Sequence, residues 1–181
     1  MAKGTLVYVM GASGAGKDSV LQYARRALDG RFPVVFAHRY ITRAPGEDIE
    51  NFVALSRREF ALRKRRRLFA FHWKAYGFDY GIGIEIRHWL AAGLTVVVDG
   101  SRAHFRANRA ALRGALPVLI TASEKELRRR LVARGRDDAR AIDRRLARAR
   151  RFRPVHPALV TIDNSGPLTQ AGETIARLLK R

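Results

Sequence analysis

The sequence predicts a three-layer α/β fold with a parallel sheet, and two observations predict it. Short apolar runs rich in β-branched residues alternate along the chain with segments of helical periodicity, which is the pattern of parallel strands joined by helical crossovers. The first apolar run leads at once into a glycine-rich stretch and then into a helical pattern. With 181 residues, 47% of them apolar, the chain suits one compact domain, residues 1–181.

The predicted strands and helices follow one another with glycines between several of them. Ser56 with Glu59 and Ser123 with Glu126 have capping-box spacing, which marks two helix starts. The predicted strands cover residues 6–10, 34–40, 94–98, 117–121 and 158–162. The predicted helices cover residues 18–28, 57–66, 82–92, 123–134, 139–151 and 168–179.

A long segment rich in Arg, aromatic residues and Gly, about residues 41–83, separates the second predicted strand from the third. Sheets of this kind bind ligands beyond the carboxyl ends of their strands, so an insertion there can hold a second substrate. We expect a substrate-binding subdomain, with a surface elaboration of no chemical role as the alternative. The arginine-rich residues 123–151 are the candidate lid region.

The glycine-rich stretch is a P-loop between a strand and a helix. Its glycines let successive backbone N–H groups turn toward phosphate oxygens, the helix adds its positive end, and the lysine reaches the outer phosphates. We therefore expect nucleoside triphosphate binding. The predicted nucleotide-binding residues are Gly11, Ala12, Ser13, Gly14, Ala15, Gly16, Lys17, Asp18 and Ser19.

The residue after the P-loop lysine departs from the usual pattern. Ser or Thr normally stands there to hold Mg²⁺, but this chain has Asp18, and the hydroxyl follows at Ser19. A carboxylate is a good ligand for Mg²⁺, although without metal it would repel phosphate. Asp18 and Ser19 are thus the candidate metal ligands, and we expect strong dependence on Mg²⁺.

Residues at the ends of two predicted strands are candidates for binding the second substrate. The third core strand ends in Asp99, which could hold Mg²⁺ through water, accept a proton or simply cap the next helix. Arg102 follows in a glycine-containing turn and could bind a phosphate bidentately. Arg39 and Arg43 flank the end of the second strand, where strand alternation would put both on one side.

Several residues near the end of the chain are further candidates. Arg134 and Arg145 lie on successive arginine-rich helices and could close over the triphosphate as lid residues that stabilise transition-state charge. Asn164 follows the last strand, where a loop can cover an adenine ring, although turn chemistry also explains an Asn there. The five histidines have no metal-ligand spacing.

Composition narrows the class of protein. With no cysteine, disulfides, thiolate metal sites and thiol nucleophiles are excluded. The formal charge of +20 would attract polyanions of any sort, and a nucleic-acid-binding protein on an inactive core stays open as an alternative. We expect no specific nucleic acid and no membrane partner, and cytoplasmic localisation because no signal or membrane span is evident. The sequence leaves the oligomeric state open, a homodimer included.

Taken together, these motifs resemble the guanylate kinase superfamily over nearly the whole chain, and within it the family of ribose 1,5-bisphosphate phosphokinases. The matching segments are residues 11–19, 39–43, 54–60, 73–82, 99–102, 133–136 and 163–167. The resemblance implies a P-loop kinase fold with an inserted acceptor-binding subdomain and a helical lid.

The resemblance also implies an activity: transfer of the γ-phosphoryl group of ATP, with Mg²⁺, to ribose 1,5-bisphosphate, giving 5-phosphoribosyl 1-diphosphate in phosphonate catabolism. By position, residues 11–19 would bind ATP with Asn164 near the adenine. Arg43 would hold acceptor phosphate, and Arg134 and Arg145 would be catalytic lid arginines beside Lys17.

Guanylate kinase activity, GMP to GDP, is the alternative that this resemblance leaves open. Guanylate kinases read guanine with a Glu before a Tyr-Gly turn, whereas this chain aligns Lys74 there, and a cation cannot accept the N–H groups of guanine. Lys74 would suit an extra sugar phosphate, with the Tyr80 phenol donating to a sugar or phosphate oxygen. Asp99, however, is an acid that guanylate kinases also have, and it leaves room for a nucleotide acceptor.

Overall fold

The computed structural model describes residues 4–44, 51–135, 137–152 and 154–180. Nine strands and seven helices lie in these ranges. The strands are β1 (Leu6–Gly11), β2 (Val34–Ala37), β3 (Arg39–Ile41), β4 (Phe52–Ala54), β5 (Phe69–Ala75), β6 (Phe78–Gly83), β7 (Thr95–Asp99), β8 (Leu116–Thr121) and β9 (Val160–Asp163). The helices are α1 (Lys17–Leu28), α2 (Arg57–Arg65), α3 (Ile86–Ala91), α4 (Arg102–Ala107), α5 (Glu124–Ala133), α6 (Ala139–Arg151) and α7 (Leu168–Leu179).

The strands form two sheets. A five-stranded sheet has the order β2-β7-β1-β8-β9, in which β2 pairs with β7 and β8 with β9 in parallel. A four-stranded sheet has the order β4-β3-β6-β5, in which β3 runs parallel to β4 and antiparallel to β6, and β5 and β6 form an antiparallel pair. The predicted α/β class with a parallel sheet is confirmed.

The chain divides into two compact units, and the first contains Met1–Val7 and Gly30–Asp99. Its β7 is an apolar strand whose three central valines are at most 1% exposed. A second apolar cluster, Leu55, Phe60 and Phe69, is buried with Tyr40 packed against it. This cluster joins α2 to β3 and β5, so the segment between β3 and β6 has a small core of its own.

The second unit contains Tyr8–Asp29 and Gly100–Arg181. Most of β1 is fully buried in it, as are the inward-facing residues of β8. Helices α1 and α7 pack against each other, and α7 buries an amphipathic face that includes Ile175. This unit holds the glycine-rich loop and the arginine-rich helices α5 and α6.

Both predicted capping boxes form their first hydrogen bond. The Ser56 hydroxyl accepts from the backbone N–H of Glu59 at 3.1 Å, and the Ser123 hydroxyl accepts from that of Glu126 at 3.3 Å. Each bond satisfies an N–H group that has no partner within its own helix. The starts of α2 and α5 are therefore fixed by local sequence, as predicted.

Two element predictions need correction, and four of the described elements were not predicted. The strand predicted at residues 34–40 is two strands, because β2 pairs with β7 in one sheet whereas β3 pairs with β4 and β6 in the other. The helix predicted at residues 82–92 is shorter, since β6 extends to Gly83 and α3 is only Ile86–Ala91. Strands β4, β5 and β6 and helix α4 were not predicted, because each is stabilised by its neighbours rather than by a strong sequence period.

Candidate functional site

The P-loop connects β1 to α1 in the second unit. Gly14 and Gly16 adopt φ of 86° and 77°, in the left-handed region that residues with a side chain disfavour. Gly16 is the N-cap of α1, and the loop is closed by a hydrogen bond from the Ala15 N–H to the Ala12 carbonyl at 3.1 Å. A glycine-rich turn at a helix N-terminus is an anion-binding cradle, so the predicted strand–loop–helix setting is confirmed.

The charged residues of the loop stand in the first turn of α1. The Lys17 Nζ lies 3.2 Å from the Asp18 Oδ1, and the two side chains are 12% and 29% exposed. Ser19 is in the same turn. The Asp18 carboxylate and the Ser19 hydroxyl thus belong to adjacent residues of α1, next to the lysine that would contact a phosphate tail.

The donor set fits a Mg²⁺ ion held jointly with a nucleotide. Within the described ranges, no three His, Cys, Asp or Glu side chains are grouped so that they could hold a metal by themselves. Mg²⁺ bound with phosphates needs only one or two protein ligands, since phosphate oxygens and waters fill the other positions. Asp18 and Ser19 offer such a pair of oxygen ligands.

Asn164, which follows β9, and Arg130 on α5 both donate to the P-loop backbone. The Ala15 carbonyl accepts from the Asn164 Nδ2 at 2.8 Å and from the Arg130 Nη1 at 3.3 Å. The Arg130 Nη2 also donates to the Asn164 carbonyl at 2.7 Å. A Cβ on Gly16 would lie 2.4 Å from the Asn164 Nδ2, so this contact also requires glycine in the loop. The place of Asn164 beside adenine stays a prediction.

Arg130 is a site residue that the sequence did not single out from the other lid arginines. Its Nε donates to the Glu126 Oε1 at 2.6 Å, one helical turn earlier on α5. Hydrogen bonds from Arg129 are the largest cause that lowers the pKa of Glu126 to about 2, with Arg130 contributing further. The i,i+4 spacing of Glu126 and Arg130 was visible in the sequence, but the contact of Arg130 with the Ala15 carbonyl, 115 residues away along the chain, was not.

Arg145, predicted as a lid arginine, also contacts the P-loop. Its Nη1 donates to the Ser13 Oγ at 3.0 Å, and its Nη2 donates to the Asp137 Oδ1 at 2.9 Å. Helix α6 carries Arg145, and the Asp138 side chain caps that helix by accepting from the Ala141 N–H. The guanidinium is therefore oriented over the loop by partners on both sides.

Arg134 is exposed at the C-terminal end of α5. Arg136, which falls in the candidate lid region of residues 123–151, lies outside the described residues. The catalytic role of Arg134 stays a prediction.

Arg102 contacts the C-terminal end of α6. Its Nη1 donates to the carbonyls of Ala149 and Phe152 at 3.0 and 2.9 Å. These carbonyls lie at the C-terminal end of α6, where the last carbonyl groups have no N–H partner within the helix. A positive charge there interacts favourably with the helix dipole. The structure shows Arg102 stabilising a helix end, and its contact with acceptor phosphate stays a prediction.

In the first unit, Arg39 and Asp99 form a buried ion pair. The Arg39 Nη1 lies 3.1 Å from the Asp99 Oδ2, and both side chains are 10% exposed. The Arg39 guanidinium carbon also lies 6.0 Å from the ring centre of Tyr80, which is itself buried. Trp73 stacks on Tyr80 with 5.6 Å between ring centres and an angle of 6°. Three predicted site residues, Arg39, Tyr80 and Asp99, are thus brought together.

Arg43 and Lys74 have other surroundings. The Arg43 guanidinium lies 4.8 Å from the ring centre of Phe52. Lys74 is on β5 with its side chain 84% exposed, and its Nζ is 3.8 Å from the Oδ1 of Asp79, its cross-strand partner. Strand β3 ends at Ile41, so the strand alternation expected to align Arg39 with Arg43 does not reach Arg43. Acceptor binding by Arg43 and Lys74 stays a prediction.

Among the residues that the structure covers, no helix is both long and apolar enough to span a bilayer.

Comparison with known sequences adds two findings. A family model described as an AAA domain matches residues 7–151. A protein of Desulfomicrobium baculatum named ribose 1,5-bisphosphate phosphokinase PhnN is 53% identical over 96% of this chain and 93% of its own length. A protein of the same name from Thiobacillus denitrificans is 46% identical over 99% of this chain and 94% of its own length. Another, from Laribacter hongkongensis, is 51% identical over 97% of this chain but is longer, so that the match covers 42% of its own length.

Comparison with solved structures identifies the fold. The guanylate kinase of Anaplasma phagocytophilum superposes with a TM-score of 0.70 over 98% of this chain and 85% of that chain. Sequence identity is 15%, so this likeness concerns the fold alone. The predicted superfamily fold is confirmed.

Proposed function

Because this chain belongs to the ribose 1,5-bisphosphate phosphokinase PhnN family, we propose that it transfers the γ-phosphoryl group of ATP to ribose 1,5-bisphosphate. The products are 5-phosphoribosyl 1-diphosphate and ADP. The observation that carries the proposal is the 53% identity to a relative of that name over 96% of the chain, P-loop included. A place in phosphonate catabolism stays a prediction, which genomic neighbours would test.

The donor side is built on the P-loop. Its backbone N–H groups and Lys17 would bind the phosphate tail of ATP. Arg145, which contacts Ser13 in the loop and Asp137, would offset charge on the γ-phosphoryl group. Asp18 and Ser19 would hold Mg²⁺, which neutralises phosphate charge when bound. Arg130 and Asn164 keep the Ala15 carbonyl, and with it the loop, in place.

The acceptor side requires cations and no strong base. An oxygen of the sugar 1-phosphate attacks the γ-phosphorus in line, the bond from the γ-phosphorus to the β–γ bridging oxygen breaks, and ADP leaves with that oxygen. The attacking oxygen is already anionic at neutral pH, so positioning and charge stabilisation supply the rate. The residues proposed to bind the acceptor are Arg39, Arg43, Lys74, Tyr80 and Arg102.

A product assay tests the proposal. The protein is incubated with Mg-ATP and either ribose 1,5-bisphosphate, ribose 5-phosphate or GMP, and the product mass and ADP release are measured. We expect the diphosphate ester from the bisphosphate and little turnover of the other two. Faster ADP release with GMP would contradict the phosphosugar assignment and support guanylate kinase activity.

Substitution of the P-loop lysine tests the location of the site. Lys17→Ala should lower turnover by about 10³-fold, because an ammonium aimed at the transferring phosphoryl group is lost. The control is Lys125→Ala, which removes an exposed lysine from α5 in the same unit and should turn over like the wild type. Circular dichroism melting of both variants separates loss of chemistry from loss of fold; normal activity of Lys17→Ala would place the site elsewhere.

A further inference from the structure

The buried Arg39–Asp99 pair needs a functional explanation. Moving two charges out of water costs free energy that their attraction does not always recover, so a buried pair by itself is weak support for stability. Here both side chains are 10% exposed and their charged atoms are 3.1 Å apart. Arg39 is the first residue of β3 and Asp99 the last of β7, so each stands at a strand end.

Aromatic neighbours of the pair help to hold the Arg39 guanidinium in place. Asp99 contacts the Arg39 Nη1, and the guanidinium carbon lies over the Tyr80 ring, 6.0 Å from its centre. Trp73 in turn holds Tyr80 by parallel stacking. A guanidinium fork oriented in advance loses little entropy when it binds a phosphate bidentately, which is the geometry that arginine matches and lysine does not.

The charge of the pair also matters for the acceptor. An isolated buried carboxylate would repel a sugar that carries two phosphates. In the ion pair, the guanidinium 3.1 Å away offsets the charge of the carboxylate, so the repulsion is weakened. A carboxylate engaged in this way is also poorly placed to take a proton from a hydroxyl group. Transfer to a phosphate oxygen requires no such proton acceptor.

We propose that Asp99 is a positioning residue that holds Arg39 for one phosphate of a doubly phosphorylated sugar. The pair thereby favours phosphate acceptors over hydroxyl acceptors. This inference rests on the function proposed above, and it gives Asp99 a role different from the catalytic and metal-binding roles that the sequence suggested.

The test measures acceptor, ATP and Mg²⁺ dependence separately in Asp99→Asn and Asp99→Ala. The amide oxygen of Asn can still accept one N–H from Arg39, so Asp99→Asn should raise the KM for ribose 1,5-bisphosphate about 10-fold and Asp99→Ala about 100-fold. The KM for ATP and the Mg²⁺ concentration at half-maximal rate should change less than about twofold. A rise in the Mg²⁺ requirement, or a fall in kcat with an unchanged KM for the acceptor, would overturn the inference.

Substitutions of the arginine complete the test. Arg39→Lys keeps the charge but loses the planar fork, so it should raise the acceptor KM about 10-fold or more. Its control is Arg58→Lys, an exposed arginine of α2 in the same unit, which should not change that KM. An unchanged acceptor KM in Arg39→Lys would also overturn the inference.

A single substitution leaves a buried charge without its partner and could unfold the protein. A double variant in which both residues are neutral avoids this unpaired charge. Arg39→Gln with Asp99→Asn replaces the ions by two amides, and its affinity for ribose 1,5-bisphosphate is measured by calorimetry without ATP. We expect affinity at least about 10-fold weaker than wild type, whereas wild-type affinity would overturn the inference. If the wild type itself does not consume the bisphosphate, the proposed function fails; if it does and these variants bind normally, only this inference fails.

Discussion

The turn that follows β7 depends on the absence of a side chain at Gly100. A Cβ there would lie 2.0 Å from the Cζ of Tyr8, a residue that is fully buried. The Tyr8 hydroxyl accepts from the Ser101 N–H at 3.0 Å and lies 2.9 Å from the His104 Nδ1. The aromatic ring and its polar partners thus occupy the space beside Gly100 and fix the start of α4.

Substitution of Gly100 should therefore destabilise the protein. Gly100→Ala overpacks the Tyr8 ring and should lower the free energy of unfolding by about 3 kcal/mol. The matched change is Gly114→Ala, because a Cβ on Gly114 meets nothing within 4 Å, and it should change stability by less than about 0.5 kcal/mol. Urea denaturation followed by circular dichroism measures both; equal midpoints for the two variants would contradict the packing argument.

At the scale of elements, helix α6 carries an arginine to the P-loop. Its capped N-terminus and its buried Ile142 and Leu146 fix its position, while Arg145 reaches the Ser13 hydroxyl. Ion pairs also join α6 to α5, since Arg128 contacts Asp143 at 2.6 Å. The two helices are thereby linked beside the loop that binds phosphate.

Replacement of Arg145 by lysine tests this arrangement. Lysine keeps the charge but cannot contact Ser13 and Asp137 at once with one planar group, so Arg145→Lys should lower kcat by about 10²-fold. The neighbouring Arg144→Lys changes an exposed side chain of the same helix and should leave kcat near the wild-type value. Steady-state kinetics at saturating ATP and acceptor measure the difference, and equal kcat values would remove Arg145 from the mechanism.

At the scale of the whole molecule, the dominant property is charge. The chain has 36 Lys and Arg against 16 Asp and Glu, a formal +20. Such a charge attracts any polyanion, which includes the phosphorylated substrates proposed here and also nucleic acid. Net charge therefore does not by itself distinguish an enzyme of phosphosugars from a nucleic-acid-binding protein.

The salt dependence of DNA binding distinguishes a phosphosugar kinase from a nucleic-acid-binding protein. Binding to a random DNA duplex should weaken at least about 10-fold between about 50 and 200 mM salt, because it arises from counterion release. Addition of that duplex should leave phosphoryl transfer to ribose 1,5-bisphosphate unchanged at the higher salt concentration. Fluorescence anisotropy and a coupled ADP assay make the two measurements; tight, salt-insensitive DNA binding without ATP consumption would favour the nucleic-acid alternative.

The sequence predicted elements best where the signal is local. The P-loop and the two capping boxes depend on residues a few positions apart, so spacing was enough to locate them. The strand predicted at residues 34–40 was divided, because β2 and β3 have equally strand-like sequences and only their partners place them in different sheets. The division into an acceptor-binding insertion and a lid, and cytoplasmic localisation, stay predictions.

The sequence by itself determined the α/β class, the position of the phosphate-binding loop and the family, since these depend on short-range patterns and on similarity along the chain. Only the tertiary structure decided which distant side chains meet. It paired Arg39 with Asp99, brought Arg130 and Asn164 to the Ala15 carbonyl, and turned Arg102 toward the end of α6. Such contacts join residues many positions apart, and they follow from the packing of whole elements rather than from any local pattern.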